Sequence, residues 1–351
     1  MSQNLTKISV CIPAYNRPDL LTSLLDSILG QKYTNYEIVI CEDASPMRDQ
    51  IRNIVDEYKI KWPEIFHYYE NEKNLGYDGN IRNLITKSSG DYCFFMGNDD
   101  LMYPDALRTV ALAISRHDNI GVVLRTYASF DERPENINQI FRYFENEAFF
   151  PAGPDTITTF YRRSVVISGL VINRDEALKY STNIFDGTLL YQLYLVANIL
   201  TEMNGVFSPK VLALYRNGGI PDFGNSETEK EKYVPNNQTP ESSIHFMRGM
   251  LEIIKWTEKK RNIQIVKRVT TDIGNYCYPI LSIQSKQPTA IFLKYGWHLG
   301  ALGLWKNKMF YLYFLLLIVL GPGLVDRIIQ FIKRYIGYTP VIGKIYRGEL
   351  P

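Results

Sequence analysis

A chain of 351 residues with 46% hydrophobic side chains is long and apolar enough to bury about two domains, which excludes an intrinsically disordered protein. Lysine and arginine total 39 against 37 acidic residues, and a net charge of +2 supplies no global attraction for nucleic acid, so no nucleic-acid partner is expected. The four cysteines, Cys11, Cys41, Cys93 and Cys277, form no CxxC pair, and the first three lie in apolar runs, the pattern of reduced core residues in a cytosolic setting. His67, His117, His245 and His298 are scattered without metal-ligand spacing and are assigned no chemistry.

Met1 to Lys7 lacks the apolar stretch of a signal peptide and leads straight into a β-branched run, Ile8 to Ile12, so the catalytic part is expected to stay in the cytoplasm. Asn16-Arg17-Pro18-Asp19 then opens a helix with Leu20, Leu21, Leu24, Leu25 and Ile28 on one face, and Pro18 suits its first turn. Tyr36 to Cys41 reads as a second strand ending in Glu42-Asp43-Ala44-Ser45-Pro46, and Ile51, Ile54, Val55 and Tyr58 mark the next helix. Ile65 to Tyr69 is a third strand, Asn71 to Tyr77 a polar loop, and Ile81, Leu84 and Ile85 a helix before the fourth strand, Tyr92 to Met96. Repeated strand-helix-strand units predict an α/β fold with a mostly parallel sheet flanked by helices.

The doublet Asp99-Asp100 stands at the mouth of that fourth strand. A strand covered on both faces leaves ionised groups at its end in need of a partner, and a hard divalent cation with oxygen ligands is such a partner. Pro104 and Asp105, then Leu107, Val110, Ala111 and Ile114 at helical spacing, put the doublet in a strand-to-helix loop, where open α/β sheets bind ligands. The competing reading is a helix cap or a solvated turn. No G-x-G-x-x-G follows the first strand, where Pro13-Ala14-Tyr15-Asn16 stands, so a dinucleotide-binding Rossmann domain is disfavoured.

Four segments in order, Val10 to Arg17, Glu37 to Ser45, Asn74-Leu75-Gly76 with Asn80 to Asn83, and Gly97 to Asp100 with Pro104, resemble family 2 glycosyltransferases. The resemblance covers about residues 7 to 220. It implies the GT-A fold, a nucleotide-binding α/β half joined to an acceptor-binding half, and an inverting, metal-dependent transfer from a nucleotide sugar. By the same resemblance Asp43 accepts the imide N–H of a uracil-type base, the alternative being a cap for the helix after Pro46. Pro13, Ala14, Tyr15 and Arg17 belong to the loop that wraps base and ribose, although Tyr15 suits packing equally well. Arg82 is expected near the base or the donor phosphates, or else solvated on its helix. Asn98 and Asp99 take the middle and last positions of the family's D-x-D motif, with Asp99 the expected ligand of Mn²⁺ or Mg²⁺, while Gly97 replaces the first acid. Asp100 is a second metal-side candidate.

An inverting transfer needs a carboxylate to take the acceptor hydroxyl's proton. Asp186, just ahead of the apolar helix Leu189 to Leu200, is the candidate catalytic base, with helix capping as the alternative and Asp175 and Glu176 as substitutes. Arg216 ends a further strand, Leu212 to Arg216, and by the same resemblance is expected to clamp the diphosphate, a simple surface arginine being the alternative. The loop from Asn217 to about Pro240 reads as a lid or linker, and its charge run Glu227 to Lys232 as solvated.

From Met309 to Val325 there are 17 uncharged residues, roughly 25 Å of helix against a hydrocarbon core of ~30 Å, and Gly321-Pro322-Gly323 breaks the run. Basic residues flank both ends, so a shallow hairpin fits better than a crossing. Ile328, Phe331, Ile332, Tyr335 and Ile336 form an apolar stripe opposite Arg327, Gln330 and Arg334, an interfacial pattern, and residues 300–351 carry a net +5 that anionic lipid would attract. A buried core helix followed by an ordinary amphipathic one is the alternative. The expected layout is a GT-A domain over residues 1–225, a loop over 226–242, and a helical region over 243–351 with a membrane-associating segment at about 306–347.

These readings predict a hexosyl- or deoxyhexosyl-transferase at the cytoplasmic face of the plasma membrane, transferring from a nucleotide sugar, UDP-linked by preference, to a lipid-linked saccharide of bacterial O-antigen or capsule. The rivals are a nucleotidyltransferase acting on sugar phosphates and a catalytically inactive membrane adaptor with the same fold.

Overall fold

The computed structural model describes residues 5–219, 221–335 and 345–346. The chain runs β1 (Ile8–Ala14), α1 (Pro18–Leu29), β2 (Tyr36–Glu42), α2 (Arg48–Lys61), β3 (Phe66–Glu70), α3 (Gly76–Lys87), β4 (Tyr92–Phe95), β5 (Leu101–Met102) and α4 (Ala106–Ser115). It continues through β6 (Ile120–Phe130), β7 (Ile137–Phe141), β8 (Ala148–Phe150), α5 (Pro154–Phe160), β9 (Val171–Asn173), α6 (Arg174–Lys179), α7 (Tyr191–Ile199) and β10 (Asn204–Arg216). Helices α8 (Pro240–Arg261), α9 (Val266–Asn275), α10 (Tyr278–Gln284), α11 (Thr289–Ala301) and α12 (Lys308–Tyr335) follow, then β11 (Ile345–Tyr346).

One sheet organises these elements, in the order β11-β7-β6-β9-β4-β1-β2-β3 with β10 beside β6. The stretch β4-β1-β2-β3 is parallel, as strand-helix-strand units require, and β9, β7, β8 and β5 add antiparallel pairs beyond it. Alternation along the central strands divides the core. Cys11, Val39, Cys41, Cys93 and Phe95 face the layer built by α3, α7 and the carboxyl-terminal helices, while Val10, Ile12, Ile38, Ile40 and Phe94 face α1, α2 and α4. The first of these cores runs without interruption to Val325, so the helical region packs directly on the sheet-bearing half. All four cysteines are buried and free.

α12 breaks at Gly321, whose φ of 71° and ψ of 162° are not helical, immediately before Pro322. Among the described residues, Lys308–Ile329 is the one helix long and apolar enough to cross a membrane by length and composition. Leu315, Val319 and Leu324 on it are exposed, as are Ile328, Phe331 and Ile332 of the expected stripe. Ile336, and the rest of the expected segment to 347 apart from β11, lie outside the described residues.

Candidate functional site

Three adjacent strands, β2, β1 and β4, send the loops at their carboxyl ends to one place. A cavity of about 360 Å³ opens there, lined by Pro13, Tyr15 and Arg17 after β1, Asp43 after β2, and Gly97 to Asp100 after β4. The crevice at the carboxyl ends of parallel strands is where such sheets take ligands. Ala14 lies just beneath, fully buried, and its carbonyl accepts the Asp43 N–H at 3.0 Å.

Asp43 does not cap α2. Its Oδ1 instead accepts from Asn71 Nδ2 at 2.7 Å and from the Leu75 N–H at 2.8 Å, reaching across to the loop that starts α3. Asn71 also meets Asn80 and Asn83, and Asn80 Nδ2 donates to the Cys41 carbonyl, so a buried amide network fixes the carboxylate. Burial pushes the Asp43 carboxyl up to about 6, against the pull of these hydrogen bonds. Tyr15 is held neutral further above its usual range by burial and by the nearby Asp222 and Asp43.

The two acids of the doublet do different work. Asp99 lines the cavity and pairs with Arg17, a residue in the left-handed region at φ 56°. Asp100 is buried, and its oxygens are taken by Ser168 Oγ and, at 2.9 Å, by the Arg216 N–H. Burial and the charge of Asp99 raise Asp100 to about 7. Neither acid caps α4, which begins only after β5. Asn98 Nδ2 reaches the carbonyls of Tyr15 at 3.3 Å and Asn16 at 3.1 Å, tying the β1 and β4 loops together. Arg216 donates from Nε to the Asp99 carbonyl at 3.0 Å and stacks 4.7 Å from the Phe130 ring centre. A Cβ on Gly97 would stand 3.1 Å from Asp100 Oδ2 and 3.2 Å from Asp99 Oδ1, so the small residue leaves room for the doublet where the motif has another acid.

The loop after β10 folds over the cavity, which Gly219, Pro221, Asp222, Phe223 and Glu229 also line. Asn16 Nδ2 donates to Asp222, and Gly219 sits beside Asp99 and Arg17. The charge run is not wholly solvated: Glu229 is 3% exposed, because its carboxylate accepts the N–H groups of Tyr77 at 2.7 Å and Gly224 at 3.0 Å.

Arg82 and Asp186 are not brought to this cavity. They face each other, Nη1 to Oδ1 and Nη2 to Oδ2 both at 2.7 Å, with Arg82 also donating to the Thr182 carbonyl. Arg82 lines a separate open groove with Lys73 and Lys87. Asp186 does not cap α7 either. That task falls to Asp78, fully buried in α3, whose oxygens accept the N–H groups of Thr188, Leu189 and Tyr191 at 2.8 to 3.0 Å. Asp175 and Glu176 lie in the first turn of α6, where Glu176 pairs with Lys179.

Two contributors escape a reading of the sequence. Arg125, fully buried in β6, donates to the carbonyls of Ser168, Arg163 and Val166, and so shapes the wall Val165 to Ser168 on the side of the cavity away from Asp43. Gln192 of α7 lines the cavity at 2% exposure; its Nε2 donates to the Val165 carbonyl at 2.9 Å, while its Oε1 has no partner among the described residues. A buried acceptor without a partner, on a residue that lines a cavity, marks a place where a ligand's hydroxyl can donate. Position alone marked neither in the sequence, since one interrupts an apolar strand and the other sits inside an apolar helix.

Among the described residues no three acids, histidines or cysteines stand together as a ready metal site. What the chain offers a hard cation is the Asp99 carboxylate facing a cavity, a donor set that suits Mg²⁺ or Mn²⁺ carried largely by phosphate oxygens and water.

The geometry thus defines an α/β fold with a ligand crevice at the ends of its parallel strands. Residues 9–182 match the family model described as Glycosyl transferase family 2, and the chain belongs to that family through this segment. It is 36% identical to abequosyltransferase RfbV of Salmonella typhimurium over 100 residues, 28% of this chain and 30% of that protein. Its fold is similar to that of S. aureus TarS 1-349 in complex with UDP-GlcNAc, with a TM-score of 0.59 and 18% identity over 84% of this chain and 80% of that one. A mannosyltransferase from Pyrobaculum calidifontis, in complex with GDP-Man and Mn²⁺, is similar over 91% of this chain and 88% of its own, with a TM-score of 0.52 and 14% identity.

Proposed function

We propose that the protein is an inverting, metal-dependent glycosyltransferase that moves a hexosyl or deoxyhexosyl group from a nucleoside-diphosphate donor to a hydroxyl of a lipid-linked glycan. The product belongs to a bacterial surface polysaccharide, O-antigen or capsule, and the work is done at the cytoplasmic face of the plasma membrane. One observation carries the reading: Asp43 and Asp99, at the ends of β2 and β4, line a single cavity.

In this reading Asp43 accepts from the imide of a uracil-type base, and the backbone of Pro13 to Tyr15 encloses base and ribose. Mn²⁺ or Mg²⁺ bound at Asp99 neutralises charge on the diphosphate as it leaves. Arg17 and Arg216 flank that position, and the loop bearing Gly219 and Phe223 closes it from water. Asp100, both of whose oxygens are engaged, holds the Arg216 strand end in register. Gln192 and the wall Val165 to Ser168 receive the sugar and acceptor. Asp186 is the proton acceptor; it is held by the ion pair with Arg82, and the pair opens for the carboxylate to meet an acceptor hydroxyl. The exposed apolar side of α12 lies on the bilayer that carries the acceptor.

The test is to incubate purified protein with UDP-sugars and Mn²⁺. Release of nucleoside diphosphate supports transfer. Release of pyrophosphate from UTP and a sugar 1-phosphate, offered in a parallel reaction, identifies a nucleotidyltransferase, and no turnover in either reaction supports an inactive adaptor.

A further inference from the structure

A second cavity, of about 350 Å³, lies between the covering loop, α8 and α11. It gathers Lys232, Arg248 and Lys294 with His245 and His298, opposed by the exposed carboxylates of Glu231 and Glu241. Lys232 Nζ donates to the Thr228 carbonyl at 2.7 Å, and His245 Nε2 lies 3.1 Å from the Gly187 carbonyl. Arg248 and Lys294 are exposed and enter no ion pair among the described residues. A guanidinium and two ammonium groups converging on one concavity match the oxygens of a phosphoryl anion.

Its surroundings say where such an anion comes from. Ile291, Lys294 and His298 form one stripe of α11, and beside it Leu293 and Trp297 are exposed, Trp297 at 65%. Trp297 meets Trp305 with ring centres 5.4 Å apart, Trp305 meets Tyr311 at 5.8 Å, and exposed Leu312, Leu315 and Val319 extend the apolar face along α12. Cations set against an exposed, tryptophan-bearing apolar surface suit the headgroup level of a bilayer. α8 separates this cavity from the first: Phe246 lines the donor side, while His245 and Arg248 line the other. A ligand anchored here stands one helix away from the donor.

We propose that this second cavity binds the phosphoryl group of the lipid-linked acceptor, with Arg248 and Lys294 as its main contacts, while the apolar face of α11 and α12 rests in the bilayer. The proposal rests on the proposed function for the source of the anion, since a free diphosphate offers the same chemistry.

The test uses the full chain and vesicles of phosphatidylcholine doped with either polyprenyl diphosphate or phosphatidylglycerol, matched in surface charge. The wild type should bind the diphosphate vesicles about tenfold more tightly, the worth of about one charge-assisted hydrogen bond to the phosphoryl oxygens. Arg248→Gln with Lys294→Gln should abolish that preference, bringing binding of the diphosphate vesicles down to the level of the phosphatidylglycerol vesicles, and should leave the thermal shift by UDP unchanged. A wild type without the preference, or a double variant that keeps it, overturns the proposal. Stabilisation of the wild type by inorganic pyrophosphate, lost in the double variant and unaccompanied by a vesicle preference, also overturns it and gives the site to a free anion. Loss of UDP binding at the donor cavity would defeat the proposed function and leave the vesicle result standing.

Discussion

Arg82 and Asp186, 104 positions apart, form a two-point ion pair with both N–O distances at 2.7 Å and little exposure of either side chain. It joins α3 to the turn before α7, the same turn that Asp78 fastens through three backbone N–H groups.

The pair gives two distinguishable outcomes. Asp186→Asn should lower transfer by about 10²- to 10⁴-fold, the usual worth of a positioned base, with UDP affinity unchanged. Arg82→Met should cost about 2 kcal/mol of stability in urea, because it leaves a half-buried carboxylate without its partner. Steady-state kinetics beside denaturation curves separate the roles. If Asp186→Asn merely loosens the fold at near-normal kcat, the pair is a strut and the base lies elsewhere.

Burial raises the carboxyl of Asp43 to about 6. Between about pH 4 and that value the native protein binds more protons than the unfolded chain, so this group favours the fold at low pH and its contribution is lost as pH rises through about 6. An imide donor prefers the ionised form. UDP affinity should therefore climb from pH 5 to 7 and level off above, and Asp43→Asn should flatten the profile, as titration calorimetry across that range would record.

Gln192 lines the cavity, and its buried Oε1 has no hydrogen-bond partner among the described residues. Gln192→Met should lower kcat/KM for the preferred sugar donor by roughly tenfold, the worth of a hydrogen bond of about 1.4 kcal/mol, and should leave Tm unchanged or raised. An equal loss for all donors, or a drop in Tm without a kinetic effect, would show that Gln192 only supports Val165.

The parallel half of the sheet was legible because β-branched and aromatic runs from Ile8, Tyr36 and Tyr92 are cleanly punctuated by Pro, Asn and Asp, and those same punctuation points became the cavity. β6 was not legible: all 11 of its residues are buried, yet Arg125 and Thr126 interrupt the apolar run with side chains whose partners, the Ser168 and Ser208 carbonyls, come from distant segments. Long-range polar pairing hid the rest. Nothing local announces that Asp78 will cap a helix 110 residues away, that Glu229 will leave its charge run for the Tyr77 and Gly224 N–H groups, or that Arg82 will pair with Asp186.

The most direct measurement is UDP binding and donor turnover by the wild type and Asp99→Asn, each with Mn²⁺ and with chelator. Mn²⁺ should tighten UDP binding and support turnover in the wild type, and Asp99→Asn should lose both effects while keeping the metal-free affinity set by Asp43. Turnover that persists in chelator, or an Asp99→Asn variant that responds to Mn²⁺ as the wild type does, would contradict a metal role for Asp99.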